Sequence, residues 1–169
     1  IQEFFALLAK KFRETRVPYG TLIEQEKFAS ELEQNPGDWT AEGRGPGKSI
    51  VIKASTRSEY LAWIRREIQQ GYEQKIASAG GIDLQVIGVG GNGHVGFHEA
   101  GIPFEGSRVL LVQLDRDTIR NAVADGHFET EGDSPRFAVS MGAELVYEAR
   151  NVVLLASGAR KRIPVARSL

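Results

Sequence analysis

The apolar residues of this chain recur with helical spacing in some segments and run without a break in others. Spacings of three and four residues predict a first helix over residues 1–12, a second around residues 21–34, and a third with one apolar stripe. The stripe of the third helix contains Leu61, Ile64, Ile68, Tyr72 and Ile76. Thr56 and Glu59 have the spacing of a capping box at its start, and Gly80 and Gly81 are expected to end it.

Continuous apolar runs predict strands within residues 49–53, 82–90, 107–114 and 150–158, with helical stretches near residues 117–125 and 141–150. Residues 35–49 form a turn-rich loop by their glycine and proline content. Unbroken apolar runs are typical of strands that are covered on both faces. The pattern therefore predicts a single α/β domain over residues 1–169, with a Rossmann-like, mainly parallel sheet and helices on both faces.

Composition removes several classes of function. With 21 basic and 22 acidic residues and no basic run, the 169-residue chain is a poor candidate for binding nucleic acid. It has no cysteine, which excludes disulfides and thiolate metal sites and fits a cytoplasmic location. No apolar run approaches the roughly 20 residues that span a bilayer, so we expect no membrane partner.

Two glycine motifs suggest nucleotide chemistry, but their surroundings disfavour it. The stretch GRGPGKS at residues 43–49 has Glu42 where a phosphate loop needs glycine, and it precedes a strand instead of following one. Gly88, Gly90 and Gly93 match the dinucleotide pattern G-x-G-x-x-G, and Asp115 lies where a ribose-binding acid belongs. Residues 94–107 contain several glycines and a proline, which disfavours the crossover helix. A dinucleotide site is kept as a weaker alternative.

The stretch GVGGNGHVGFHEAG at residues 88–101 favours acid–base chemistry. Its glycines expose backbone amides to a polyol phosphate, and they are Gly88, Gly90, Gly91 and Gly93. His94 is placed to enter the ligand site, Glu99 to hold one imidazole nitrogen, and Asn92 to orient the ring. The alternative is a simple glycine turn with His94 and His98 at the surface. The glycines between these histidines disfavour a metal site.

Residues Gly80 to Lys161 also carry a family resemblance. The segment GIDLQVIGVGGNGHVGFHEAG is followed by SRV, by DTI and by FAVSMGAELVYEARNVVLLASGARK. This order resembles the glucosamine-6-phosphate deaminase (isomerase) family, which is related to the 6-phosphogluconolactonases. The stretch GFHEAG favours the deaminase branch over the lactonases.

The resemblance implies a cofactor-free and metal-free conversion of glucosamine 6-phosphate or galactosamine 6-phosphate to a ketose 6-phosphate and ammonia. It assigns to His94 the proton shuttle between ring oxygen and anomeric hydroxyl. Glu99 would hold and polarise His94, Asn92 would orient it, and Lys161 would contact the phosphate. A small-molecule sugar phosphate is then the partner, and a homo-oligomer is left open.

The chain departs from the family pattern where His98 and Ala100 replace an asparagine and a proline, and where the phosphate-binding arginine is missing. Arg120 or His127 are candidates to replace that arginine. The family's carbon-2 base and phosphate loop lie in a segment before Ile1, so we expect this chain alone to be catalytically incomplete. Otherwise the base must be sought among residues such as Asp115, Asp117 and Glu144. A non-catalytic sugar-phosphate-binding module and a lactonase-like hydrolase remain the alternatives.

Overall fold

The computed structural model describes residues 14–91 and 93–168, and the helix predicted over residues 1–12 lies outside this range. The helices are a 3₁₀ turn Gly20–Leu22, α1 Gln25–Gln34, α2 Glu59–Trp63, a π-helical segment Ile64–Gln70, α3 Gly71–Ser78, α4 Arg116–Ala124, α5 Ala143–Tyr147, a second 3₁₀ turn Ala159–Lys161 and α6 Arg162–Ser168. The strands are β1 Trp39–Glu42, β2 Lys48–Ile52, β3 Gln85–Gly88, β4 Val109–Gln113, β5 Phe137–Met141 and β6 Val152–Leu155.

The segments α2, Ile64–Gln70 and α3 follow one another without a break. Leu61, Ile64 and Ile68 of the predicted stripe are buried, whereas Tyr72 and Ile76 on α3 are partly exposed. The capping box predicted from Thr56 is wrong by two residues. Ser58 is the N-cap, and its hydroxyl accepts a hydrogen bond from the Leu61 amide at 3.1 Å. Thr56 instead donates to Asp38 Oδ2 at 2.8 Å. The helix ends before Gly80 and Gly81, as predicted, and both glycines have positive φ.

The prediction of a mainly parallel sheet is wrong. The larger sheet has four strands in the order β1-β2-β4-β5, and every neighbouring pair in it is antiparallel. Only β3 and β6, among the described strands, form a parallel pair. The unbroken apolar run of β4 reflects burial on both faces, and an interior antiparallel strand meets the same condition. The molecule is a mixed α/β structure.

Two of the observed strands were not predicted from the sequence. Strand β1 lies inside the segment predicted as a loop, and β5 lies in the apolar run before Gly142. Residues 43–47 of the stretch GRGPGKS connect antiparallel β1 and β2, and its last two residues begin β2. Lys48 Nζ donates to the Gly43 carbonyl at 2.8 Å. The interpretation of this stretch as a plain loop is confirmed.

One face of the four-stranded sheet carries the main core. Helix α1 and the long helix that begins at Glu59 cover this face, and the Phe28 and Phe137 rings meet edge to face at 4.9 Å. The buried residues of this core are Ile23, Phe28, Leu32, Ile50, Ile52, Leu61, Ile64, Ile68 and Leu111. Burial of this much apolar surface makes the sheet and its helices the stable platform of the molecule.

The opposite face of the sheet holds the segment that connects β3 to β4. Ile102 from this segment packs against Leu110 and Val112, whose side chains point away from the main core. The amide of Arg44 in the β1–β2 connection donates to the Gly101 carbonyl at 3.0 Å. These contacts fix residues 94–102 against the sheet. No helix in the described ranges is long and apolar enough to cross a membrane.

Candidate active site

The glycine turn after β3 brings His94 back toward the end of the strand. The Gly90 amide donates to the His94 carbonyl at 2.8 Å, and the Gly93 amide donates to the Gly90 carbonyl at 3.1 Å. Gly93 has φ +86°, a conformation that favours glycine. A side chain at Gly90 would collide with the His94 imidazole. The ring therefore occupies the space that the missing Gly90 side chain leaves open.

His94 and Glu99 form a largely buried pair. Glu99 is 3% exposed, and His94 Nδ1 lies 3.5 Å from Glu99 Oε2. This separation is too long for a strong hydrogen bond, and Nδ1 has no other hydrogen-bond partner within the described residues. The buried Nδ1 atom therefore faces the carboxylate as its one source of stabilisation. This arrangement can support an imidazole that gains and loses a proton.

A second residue holds the other oxygen of Glu99. Thr118 Oγ1 donates to Glu99 Oε1 at 2.6 Å. Burial opposes ionisation of Glu99, but His94, the Thr118 hydroxyl and the Asp115 backbone amide together lower the pKa of Glu99 below its ordinary value. Glu99 is therefore a carboxylate at neutral pH.

Lys161 reaches the same place from β6. Because β3 and β6 are parallel, their carboxyl ends lie at one edge of the small sheet. The chain turns at Gly158, with φ +85°, into the 3₁₀ turn that carries Lys161. Lys161 Nζ donates to the Val89 carbonyl at 2.6 Å. A cation thus lies directly beside the glycine turn.

These residues border a cleft with a volume of about 630 Å³. Gly90, Gly91, His94 and Lys161 line it among the residues predicted from the sequence. Glu99 lies behind His94, Gly88 pairs with Leu155 in the small sheet, and Gly93 does not line the cleft. Asn92 lies outside the described residues. The structure thus brings together the imidazole, its carboxylate, the lysine and part of the glycine turn.

One wall of the cleft was missed by sequence reasoning. Helix α4 lines it with Thr118, Asn121 and Ala122 and with its C-cap Asp125. The rest of the lining is Phe97, His127, Phe128 and Arg160. The four positions of α4 have the spacing i, i+3, i+4 and i+7, which places them on one helix face. A small, polar stripe on a predicted helix was therefore the available signal. His127 lines the cleft, whereas Arg120 pairs with Asp117 and Glu131.

His98 has a structural position instead of a free surface one. The Ala143 amide donates to His98 Nδ1 at 3.1 Å, and Nε2 lies 3.1 Å from the Ile102 carbonyl. These contacts fit a neutral ring that is protonated on Nε2. Burial lowers the pKa of His98, opposed by its bond to Ile102. In the ranges that the structure describes, no group of three or more metal-binding side chains comes together.

The three carboxylates considered as alternative bases do not line the cleft. Asp115 caps α4 by accepting from the Asp117 amide at 3.2 Å. Asp117 lies 3.6 Å from Arg120. Glu144 accepts from the Gly106 amide and lies 3.7 Å from Arg108. Asp125, on the α4 face, is the carboxylate that lines the cleft within the described part of the chain.

Comparison with known proteins gives glucosamine-6-phosphate deaminases among the relatives of this chain. The chain is 47% identical over 98 residues to a glucosamine-6-phosphate deaminase of Rhodopirellula baltica, which covers 58% of this chain and 38% of that relative. A glucosamine-6-phosphate deaminase of Shouchella clausii is 46% identical over 92 residues, which is 54% of this chain and 36% of the relative. The chain is a relative of the glucosamine-6-phosphate deaminases. The resemblance inferred from the motif order is confirmed.

The deaminase relatives are longer than the matched region, and the chain spans less than two fifths of their length. No protein-family model matches the chain. Among solved structures, a monomeric glucosamine-6-phosphate deaminase of the NagB superfamily aligns with a TM-score of 0.56 and 24% identity. This alignment covers 75% of the chain and 59% of that structure. It supports a shared fold.

Proposed function

We propose that this chain carries the ring-opening part of an amino-sugar-phosphate deaminase. The substrate is glucosamine 6-phosphate or its galactosamine epimer, and the products are a ketose 6-phosphate and ammonia. The observation that carries the proposal is the His94 imidazole in the cleft wall, with a buried carboxylate 3.5 Å behind it. Similarity to the deaminases over more than half of the chain supports the same activity.

His94 has the chemistry that ring opening requires. Opening the pyranose form of an amino sugar moves a proton from the anomeric hydroxyl to the ring oxygen. An imidazole has nitrogens that can accept and donate a proton, so one ring can carry out both transfers from one position. Glu99 stabilises the cationic ring between the two transfers and fixes its orientation. In this proposal His94 is the catalytic residue, and Glu99 acts through it.

The surroundings of His94 suit a phosphorylated sugar. Gly90 and Gly91 leave backbone accessible at the cleft, and Lys161 provides a positive charge beside them. A lysine ammonium binds phosphate as a point charge and needs no fixed angle. We assign Lys161 to the phosphate and the glycine turn to the sugar hydroxyls. Asn92 and Gly88 keep their predicted supporting roles in this assignment.

The complete reaction consumes one water molecule. Transfer of the carbon-2 proton to carbon 1, and of one amine proton to the carbon-1 oxygen, converts the open aldose amine into a ketimine. Water then replaces the imine nitrogen at carbon 2 and releases ammonia. A base over carbon 2 is needed besides His94, because a histidine committed to the ring oxygen cannot also reach the opposite side of the sugar. We do not assign this base to Asp115, Asp117 or Glu144, since all three have partners outside the cleft.

The test, like the kinetic tests that follow, uses the full-length protein. Ammonia release is measured with glucosamine 6-phosphate and with galactosamine 6-phosphate, and ketose phosphate is measured in parallel. Equal amounts of ammonia and ketose phosphate support the deaminase. Binding of both sugars without ammonia indicates a sugar-phosphate-binding module. Hydrolysis of 6-phosphogluconolactone without ammonia release indicates the lactonase-like alternative. The ratio of kcat/KM values for the two amino sugars decides the preferred epimer.

A further inference from the structure

We propose that Thr118 is a positioning residue that directs the Glu99 carboxylate toward His94. The inference deepens the proposed function and rests on it for its catalytic meaning. The structural part of the inference, the control of Glu99 by one hydroxyl, can be tested without substrate. Thr118 lies in the DTI stretch of the family resemblance, to which the sequence analysis gave no role in the site.

The geometry of the hydroxyl is specific. Thr118 lies in the first turn of α4 and is 6% exposed, and Glu99 is 3% exposed. The distance of 2.6 Å from Thr118 Oγ1 to Glu99 Oε1 is typical of a hydroxyl that donates to an ionised carboxylate. Because this bond engages Oε1, Oε2 is the oxygen left to face His94 Nδ1.

The β1–β2 connection restrains Glu99 from the other side. A side chain at Gly47 would collide with the Cβ and Cγ atoms of Glu99, so the glutamate stem packs directly on the Gly47 backbone. Packing thus fixes the stem, and the Thr118 hydroxyl fixes the rotation of the carboxylate. Without the hydroxyl, the carboxylate plane is free to turn away from His94.

Other charged groups near Glu99 are already engaged. The Asp115 side chain accepts from the Asp117 amide, and Lys48, the first residue of β2, donates to the Gly43 carbonyl. The Asp115 backbone amide and His94 remain as the groups besides Thr118 that stabilise the Glu99 anion. Loss of the Thr118 hydroxyl therefore raises the pKa of Glu99, since one of few donors to the charged form is removed.

The first experiment compares Thr118→Val, which removes the hydroxyl and keeps the shape, with Thr118→Ser, which keeps the hydroxyl. We expect kcat for glucosamine 6-phosphate to fall about tenfold in Thr118→Val, less than the loss of about 100-fold or more for removal of an acid–base group. KM should change less than about twofold, because the hydroxyl is committed to Glu99 and not to substrate. Thr118→Ser should retain most of the activity. Thr130→Val, an exposed threonine that donates to Asp133, is the matched control.

The second experiment follows the side-chain carboxyl carbon of Glu99 by NMR during an acid titration without substrate. Its midpoint should move to higher pH in Thr118→Val and stay near the wild-type value in Thr118→Ser. Thr118→Ala replaces the valine variant if that variant does not fold.

Three results would overturn the inference. They are an unchanged Glu99 titration in the valine variant, equal losses in the serine and valine variants, and a rise in KM with kcat unchanged. The last result would place the hydroxyl on the substrate. If the wild-type protein releases no ammonia but the titration still shifts and serine restores it, the deaminase proposal fails while the positioning of Glu99 by Thr118 is supported.

Discussion

The two sheets of this protein differ in how they bury their strands. In the four-stranded sheet, β4 is buried from Val109 to Val112. Helices cover one face of this sheet, and the segment that connects β3 to β4 covers the other. In the two-stranded sheet, the side chain of Val86 is 50% exposed and that of Leu155 is 62% exposed. The larger sheet owes its order to a packed core. The small sheet contributes the edge from which the glycine turn and Lys161 emerge.

The larger sheet therefore provides the stability of the fold, and the end of the small sheet provides the candidate catalytic groups. The cleft is built where the small sheet ends, and one of its walls, α4, follows directly after β4 of the larger sheet. Functional groups on connections and element ends are held by a rigid scaffold in many proteins. We therefore expect substitutions in the larger sheet to act on folding, and substitutions at the glycine turn to act on turnover.

The largest effect is expected for Leu111→Ala, because Leu111 is 1% exposed in the main core. The free energy of unfolding should fall by about 2–5 kcal/mol, as for other buried leucines truncated to alanine. The matched variant Leu155→Ala, in the small sheet, should cost less than about 0.5 kcal/mol. Urea unfolding followed by circular dichroism measures both. Equal costs would contradict the difference in burial between the two sheets.

Next in size is His94→Gln, which should lower turnover of glucosamine 6-phosphate by about 100-fold or more, the usual contribution of an acid–base group. Its free energy of unfolding should change by less than about 1 kcal/mol, since His94 packs on a glycine and not in the core. Steady-state kinetics and urea unfolding of the same preparation separate the two effects. Turnover near that of the wild type would remove His94 from the mechanism.

Glu99→Gln should reduce turnover by about 30-fold, less than the His94 change, because the carboxylate acts through the imidazole. The lowered pKa of Glu99 also contributes stability, and this contribution is complete above the ordinary glutamate pKa of 4.5. It is lost as the pH falls through the lowered folded-state pKa. The stability difference between wild type and variant should therefore shrink in that acidic range.

The pH dependence of unfolding and of kcat/KM measures both effects of Glu99→Gln. The exposed Glu129→Gln is the matched control, since Glu129 does not line the cleft. A kcat/KM profile with an unchanged acidic limb in Glu99→Gln would show that Glu99 does not act on His94.

Much of the fold was predictable from local patterns, and strand direction was not. The helical stripe from Leu61 and the stop at Gly80 follow from spacing and from the conformational freedom of glycine, so both were found. The apolar run of β4 reports burial on both faces, which is common to parallel and antiparallel interior strands. Strand β1 was missed because it is four residues long, three of them are exposed, and it lies between turn residues rich in glycine and proline.

The site was predictable where its residues are close in sequence. His94 and Glu99 are five residues apart, and the glycine turn between β3 and His94 places them in one loop. The contribution of α4 depends on tertiary packing across 19 residues, from Glu99 to Thr118, and no local pattern encodes that contact. Lys161 was found through the family resemblance, because a lysine after a strand has no distinctive local signal.

The smallest effect is expected for Lys161→Ala, which tests whether the edge of the small sheet binds phosphate. If Lys161 contacts the phosphate equally in the ground and transition states, KM should rise about five- to tenfold while kcat changes less than about twofold.

Lys161 also donates to the Val89 carbonyl, so a purely structural role must be distinguished. Lys53→Ala is the matched control, because Lys53 Nζ donates to the Gly37 carbonyl at 2.7 Å and does not line the cleft. An affinity for inorganic phosphate that falls in Lys161→Ala but not in Lys53→Ala supports the phosphate contact. A loss of kcat with KM unchanged would instead give Lys161 a part in the chemistry, and an unfolding free energy lowered with both kinetic constants intact would confine it to holding the glycine turn.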